Sequence, residues 1–235
     1  MQSQFLAPGR WRFLLLLAAL LVLLVVEPLS ASIVIIQPLF DILLVVVMAV
    51  LALGLVRHKA WRTIAVALCL PVTALTLGGY LMPDAHQIVS LSLGHAVAAI
   101  FFLIAVGMIV AAIMSGEQSL DTIFGAICGY LLIGVAWGMA YVVVFTVDAN
   151  SFELSDVVRE QMVDDHEIRS TFMYYSYVTL STVGYGDLTP TSNVARTLSW
   201  LEAVTGQVYM AVVIAGLVSA MVASKMSASQ SRKAP

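Results

Sequence analysis

Thr171-Phe172-Met173-Tyr174-Tyr175-Ser176-Tyr177-Val178-Thr179-Leu180-Ser181 runs directly into Thr182-Val183-Gly184-Tyr185-Gly186-Asp187, and this stretch decides how the rest of the chain is read. Its first part predicts about ten residues of helix; its second is extended and punctuated by glycine. Apolar segments flank it at residues 123–147 and 194–223. The stretch is too short to cross a bilayer twice, so it dips in and returns. Non-helical backbone at that depth is tolerated only where it lines a water-filled path or is buried in protein.

The composition makes lipid the solvent. Of 235 residues, 61% are hydrophobic and 11% charged, and mean hydropathy is +0.98. Soluble domains run at roughly 45–50% and about 25%. Nucleic-acid binding is excluded, because the net charge is −3 and no basic stripe exists to neutralise phosphates. Cys69 and Cys128 lie far apart inside apolar runs, which suggests buried small hydrophobes rather than a disulfide framework or a zinc site.

A crossing helix needs about 20 mostly apolar residues. Segments that meet or approach this fall at residues 13–26, 39–56, 61–82, 88–114, 123–147 and 194–223. The expected fold is therefore an all-α membrane protein. It has six transmembrane helices, with a re-entrant helix and extended loop between the fifth and sixth. The first segment reads two ways. Arg10 and Arg12 ahead of a short apolar run, with Leu29-Ser30-Ala31-Ser32 behind it, resemble a signal peptide. Glu27-Pro28 before the small residues, and a second span close behind, favour a retained helix. Residues 33–36 form an outer loop or extend the second helix.

Arg10, Arg12, Arg57, Lys59, Arg62, Lys225, Arg232 and Lys233 fall on one side of this arrangement; Arg159, Arg169 and Arg196 fall on the other. The positive-inside rule then puts both termini in the cytoplasm and the loop at residues 148–169 outside.

The residue types in the re-entrant stretch suit a dehydrated cation. Backbone carbonyls of Thr182, Val183, Gly184 and Tyr185, with the Thr182 hydroxyl, supply stacked rings of oxygen when four chains surround one axis. Aiming successive carbonyls at an axis needs alternating left- and right-handed backbone, which Gly184 and Gly186 reach without a Cβ penalty. Val183 and Tyr185 then point outward and hold the ring's diameter. The preceding helix directs its negative carbonyl end toward the pore centre.

Thr182–Asp187 resembles in full the selectivity-filter signature of the potassium-channel superfamily, and residues 120–223 follow that family's pore segment in order. The resemblance implies a homotetrameric channel passing K⁺ across a cell membrane, bacterial and inner by its compactness. K⁺ is the permeant ion, held at Thr182, Val183, Gly184 and Tyr185, and no cofactor is implied. Tyr174 and Tyr175 stand where the family has paired aromatics, usually tryptophans, that cuff the filter. Asp187 stands where the family's aspartate bonds to that cuff, and Gly206 where its inner-helix gating hinge is expected. Tyrosines bring hydroxyls in place of indole N–H donors, which changes how the filter is stiffened. If Gly206 is the hinge, Gln207, Met210, Ile214, Val218 and Val222 recur at helical spacing and face the cavity. Glu202 is a polar residue in a membrane helix and functional by default. It either bonds the pore helix in place, the favoured reading, or acts in gating or permeation.

Three regions follow: a four-helix peripheral part at 1–116, a pore domain at 117–225 and a short cytoplasmic tail at 226–235. No Lys or Arg occurs in residues 63–158. Sensing voltage with arginines needs several charges, each contributing about 2.3 kcal/mol per 100 mV, so the first four helices read as a scaffold. Gly78-Gly79, Gly134 and Gly138 read as close-packing positions. The outer loop carries seven acids against two arginines, which concentrates cations at the mouth. Asp164-Asp165-His166-Glu167 suits a divalent ion or a proton sensor less well than a solvated turret. His58, His86 and His95 read as loop or packing residues. A transporter subunit, or a partner in a heteromeric channel, is the alternative. No nucleophile motif supports an enzyme.

Overall fold

The computed structural model describes residues 12–32, 37–51, 63, 67, 69–75, 84–115, 120–162, 165–219 and 222. Its helices are α1 (Arg12–Ser32), α2 (Gln37–Val50), α3 (Asp84–Ser115), α4 (Leu120–Val147), α5 (Asp156–Gln161), α6 (Asp165–Leu180) and α7 (Asn193–Val208). A π-helix at Tyr209–Ile214 carries α7 onward. Two strands, β1 (Phe152–Leu154) and β2 (Leu188–Pro190), pair antiparallel. Among the described residues, three helices are long and apolar enough to cross a membrane: Val89–Met114, Leu120–Val147 and Asn193–Ser219. A shorter apolar helix spans Phe13–Pro28. Most of the third expected segment, residues 33–36, the basic positions 10, 57, 59, 62, 225, 232 and 233, and His58 and Asp164 lie outside the described residues.

Inside a bilayer lipid tails are as apolar as leucine, so helices associate through close packing and satisfied polar groups. α1 shows the first. Phe13, Leu16, Leu20 and Leu23, spaced three and four apart, are all buried and form one face of the core with Cys128, Leu132 and Val135 of α4. Asp121 Oδ1 accepts from Phe13 N at 3.2 Å, and the Cys128 thiol reaches Phe13 O at 3.5 Å. Cys128 is thus a buried small side chain, as its apolar setting suggests. The other end of α1 lies at α6, where Glu27 meets Arg169 at 3.6 Å, so α1 runs parallel to α4. Glu27-Pro28 reads as a break in the sequence, yet the helix continues through Pro28 to Ser32. Neighbouring elements let membrane helices keep a proline.

α3 lies along α4 through Ala98, Phe101, Phe102, Ala105 and Ile109. It contains no arginine or lysine, and His95 is buried within it.

The outer loop is more ordered than a solvated turret. Asp148 caps a short 3-10 turn by accepting from Asn150 N, and Ser155 caps α5 by accepting from Val158 N at 3.4 Å. Between them β1 pairs with the segment leaving the glycine-rich stretch, in the register Phe152↔Pro190, Glu153↔Thr189, Leu154↔Leu188. Ser155 N donates to Asp187 O at 3.0 Å, and Thr191 N to Ser151 O at 2.9 Å. The loop therefore clamps the segment that leaves the glycine-rich stretch through backbone hydrogen bonds.

Candidate ion-conduction site

α6 begins at Asp165 and is sixteen residues long, where the sequence suggested about ten. It ends as expected, immediately before the glycine-rich stretch. Thr182 N donates to Thr179 O and Val183 N to Val178 O, both at 2.9 Å. These two bonds form a Schellman cap, whose left-handed position is normally glycine. Thr182 occupies it, with φ +60. A β-branched residue there stores about 1–3 kcal/mol of strain.

Gly184 follows at φ +59 and Gly186 at φ +80. Every second residue from 182 to 186 is left-handed, which is the alternation that stacked inward carbonyls require. Ser181 to Gly186 are exposed in the single chain, Val183 and Tyr185 by 52% and 70%.

The two cuff tyrosines divide the work. The Tyr174 hydroxyl donates to Asp187 Oδ2 at 2.8 Å, and its ring stacks on Tyr185 at 6.3 Å and 2°. That residue holds the far end of the glycine-rich segment, Tyr185 and Asp187, against α6. Tyr175 turns the other way, into a cluster with Tyr141, Phe152 and Phe172, and shares a hydrogen bond with Ser199 at 2.7 Å. It anchors α6 to α7 rather than to the filter.

The back of α6 rests on the expected glycine face of α4. A Cβ at Gly134 would run into the Tyr177 ring, and one at Gly138 would lie 2.7 Å from Met173 Sδ. Tyrosine hydroxyls then pin the helices by donating to turns of backbone. Tyr177 reaches Leu131 O at 2.7 Å, Tyr130 reaches Leu180 O at 3.3 Å and Tyr209 reaches Ala126 O at 2.8 Å. Sequence reasoning did not single out these three tyrosines. Their only signal is a phenol in an otherwise apolar helix, which needs a partner when buried.

Glu202 is fully buried and accepts from the Tyr141 hydroxyl at 2.6 Å. Its other oxygen lies 2.5 Å from Ser176 Oγ on α6. Glu202 on α7 thus bonds to both α4 and α6.

Gly206 lies where α7 crosses the end of α6. A Cβ added there would meet Leu180 O at 2.5 Å and Leu180 Cδ1 at 2.9 Å. The helix departs from regular geometry three residues later, in the π-helix from Tyr209. Gln207, Met210 and Val218 are exposed, whereas Ile214 is half-buried against the core. A π-turn takes more residues than an α-turn, and Ile214 is the last residue of this one.

Gly206→Ala is expected to destabilise the protein by about 1–3 kcal/mol, because the backbone of α6 must shift to admit a methyl group. Gly107→Ala, where a Cβ meets nothing within 4 Å, is the control and leaves stability unchanged or raised. Thermal unfolding of both variants in detergent checks this.

His166 is buried, and its Nδ1 lies 2.8 Å from Arg169 Nη2. Guanidinium only donates, so Nδ1 accepts. No group of three metal-ligating side chains occurs among the described residues.

α6 and α7 pack against each other and against α4, with the left-handed segment at the end of α6. Residues 140–223 match the family model described as an ion channel. No curated relative matches the chain.

Proposed function

We propose that four copies of this chain surround one axis and conduct K⁺ passively and selectively through Thr182–Tyr185. The observation that carries the proposal is the left-handed backbone at 182, 184 and 186, set at the carbonyl end of α6 and exposed in one chain. One such segment cannot surround an ion; closed cyclic symmetry supplies the rest. The inner helix supports assembly. Only 28% of its apolar window is buried, against 61% for α4, leaving Trp200, Val204, Val208 and Val212 uncovered. Gln207 and Met210 line the cavity below the filter in this arrangement, and Gly206 serves as the hinge.

Six crossings place both termini in the cytoplasm of a cell membrane. The region at 1–116 is a scaffold without arginine voltage sensing, and the channel needs no cofactor. Barium-sensitive K⁺ uptake into liposomes carrying the purified chain tests the proposal. Uptake that requires the chain and stops with barium is expected; uptake indistinguishable from empty liposomes contradicts it.

A further inference from the structure

The hydrogen bonds around Glu202 do not balance if its carboxyl group is ionised. Ser176 Oγ lies 2.5 Å from Glu202 Oε1 and 2.8 Å from Gly134 O. A backbone carbonyl and a carboxylate oxygen both only accept, and a serine hydroxyl has one proton. Two short contacts therefore need a second proton. Tyr141 cannot supply it, since its hydroxyl proton already serves Glu202 Oε2 at 2.6 Å. A proton on Oε1 completes the set. Glu202 then donates to Ser176, Ser176 donates to Gly134 O, and Tyr141 donates to Oε2.

The surroundings agree. Glu202, Ser176 and Tyr141 are each fully buried. The titratable groups that face the acid are Tyr130 and Tyr141 from α4 and Tyr175 and Tyr177 from α6. All are phenols, and no salt bridge to Glu202 occurs among the described residues. A buried carboxylate without a cation is costly; a neutral acid with every partner satisfied is not.

We propose that Glu202 works as a neutral carboxylic acid, and in that form is the positioning residue that seats the pore helix against the outer and inner helices. Its reach is specific. Ser176 stands one turn before Leu180, whose carbonyl is the atom crowding Gly206, and its hydroxyl donates to Gly134 O on α4. The proton thus joins α4, α6 and α7 directly behind the filter. This rests on the channel reading for its effect on conduction, but not for the protonation itself.

The test compares Glu202→Gln with Glu202→Ala in the full chain, with infrared spectroscopy beside K⁺ flux in liposomes. Glutamine reproduces the neutral pattern, with its amide N–H in place of the acid O–H and its carbonyl accepting from Tyr141. Glu202→Gln is expected to keep K⁺ flux within about threefold of the parent, and Glu202→Ala to lose about tenfold or more, the loss of a buried hydrogen-bond set. The wild-type infrared spectrum should contain a protonated-carboxyl band at neutral pH that Glu202→Gln lacks. A Glu202→Gln variant as impaired as Glu202→Ala overturns the proposal, as does an ionised-carboxylate signature for Glu202. If Glu202→Ala fails to fold, the glutamine variant and the band still decide. If the parent passes no ion, the channel reading fails, while the band reports the protonation independently.

Discussion

Replacing Gly184 with alanine is expected to lower K⁺ flux by more than about tenfold while leaving insertion into the membrane unchanged. The expected loss comes from backbone conformation alone. Gly184 sits at φ +59, where an L-residue with a Cβ costs roughly 1–2 kcal/mol. Within one chain a Cβ there would meet nothing within 4 Å, so the cost inside the subunit is conformational. The chain can relieve the strain by turning the peptide, which takes a carbonyl off the axis. In a four-fold ring that happens four times, about 4–8 kcal/mol in all. Gly186→Ala, starting from φ +80, should behave in the same way. Flux compared at equal protein incorporation reads the effect, and an alanine variant that conducts like the parent would remove the filter from the account.

The second large effect concerns the peripheral region. Glu27 of α1 and Arg169 of α6 lie 3.6 Å apart with their side chains 3% exposed, and Arg169 also bonds His166. Removing one member of a buried ion pair leaves the other's charge buried and typically costs about 3–5 kcal/mol. Glu27→Ala and Arg169→Ala should each lower thermal stability in detergent by that order. The double replacement Glu27→Leu, Arg169→Leu should recover most of the loss, because the desolvation of two charges is removed together. Single variants that melt like the parent would mean that α1 is not docked to the pore helix by this pair. Arg169, counted from sequence among the charges of the outer loop, is buried and lies where α1 meets α6.

That example shows where sequence reading stops. The pore module is legible because its constraints are local. A left-handed residue wants glycine, as at 184 and 186. Close approach needs a missing side chain, as at Gly134 and Gly138. Asp187 could be paired with the cuff because the resemblance supplied the partner. What stayed hidden is long-range or against propensity. Nothing in Thr182 announces φ +60; it follows from the cap that ends α6. The β1–β2 ladder joins segments on opposite sides of the filter, each only three residues long, below any periodic signal. Regular spacing also gave no sign of the π-helix at Tyr209–Ile214. Glu202 was recognisable as unusual because it is an acid in an apolar helix, but its partners Ser176 and Tyr141 come from two other helices.

The central claim is that the alternating backbone at 182–186 selects K⁺. Its most direct test is the reversal potential of the purified chain in a planar bilayer, with K⁺ on one side and Na⁺ at equal concentration on the other. A large potential of the sign that K⁺ permeation gives is expected, with Na⁺ contributing little. A reversal at zero, with current flowing, would show a pore that does not distinguish the two ions and would contradict it.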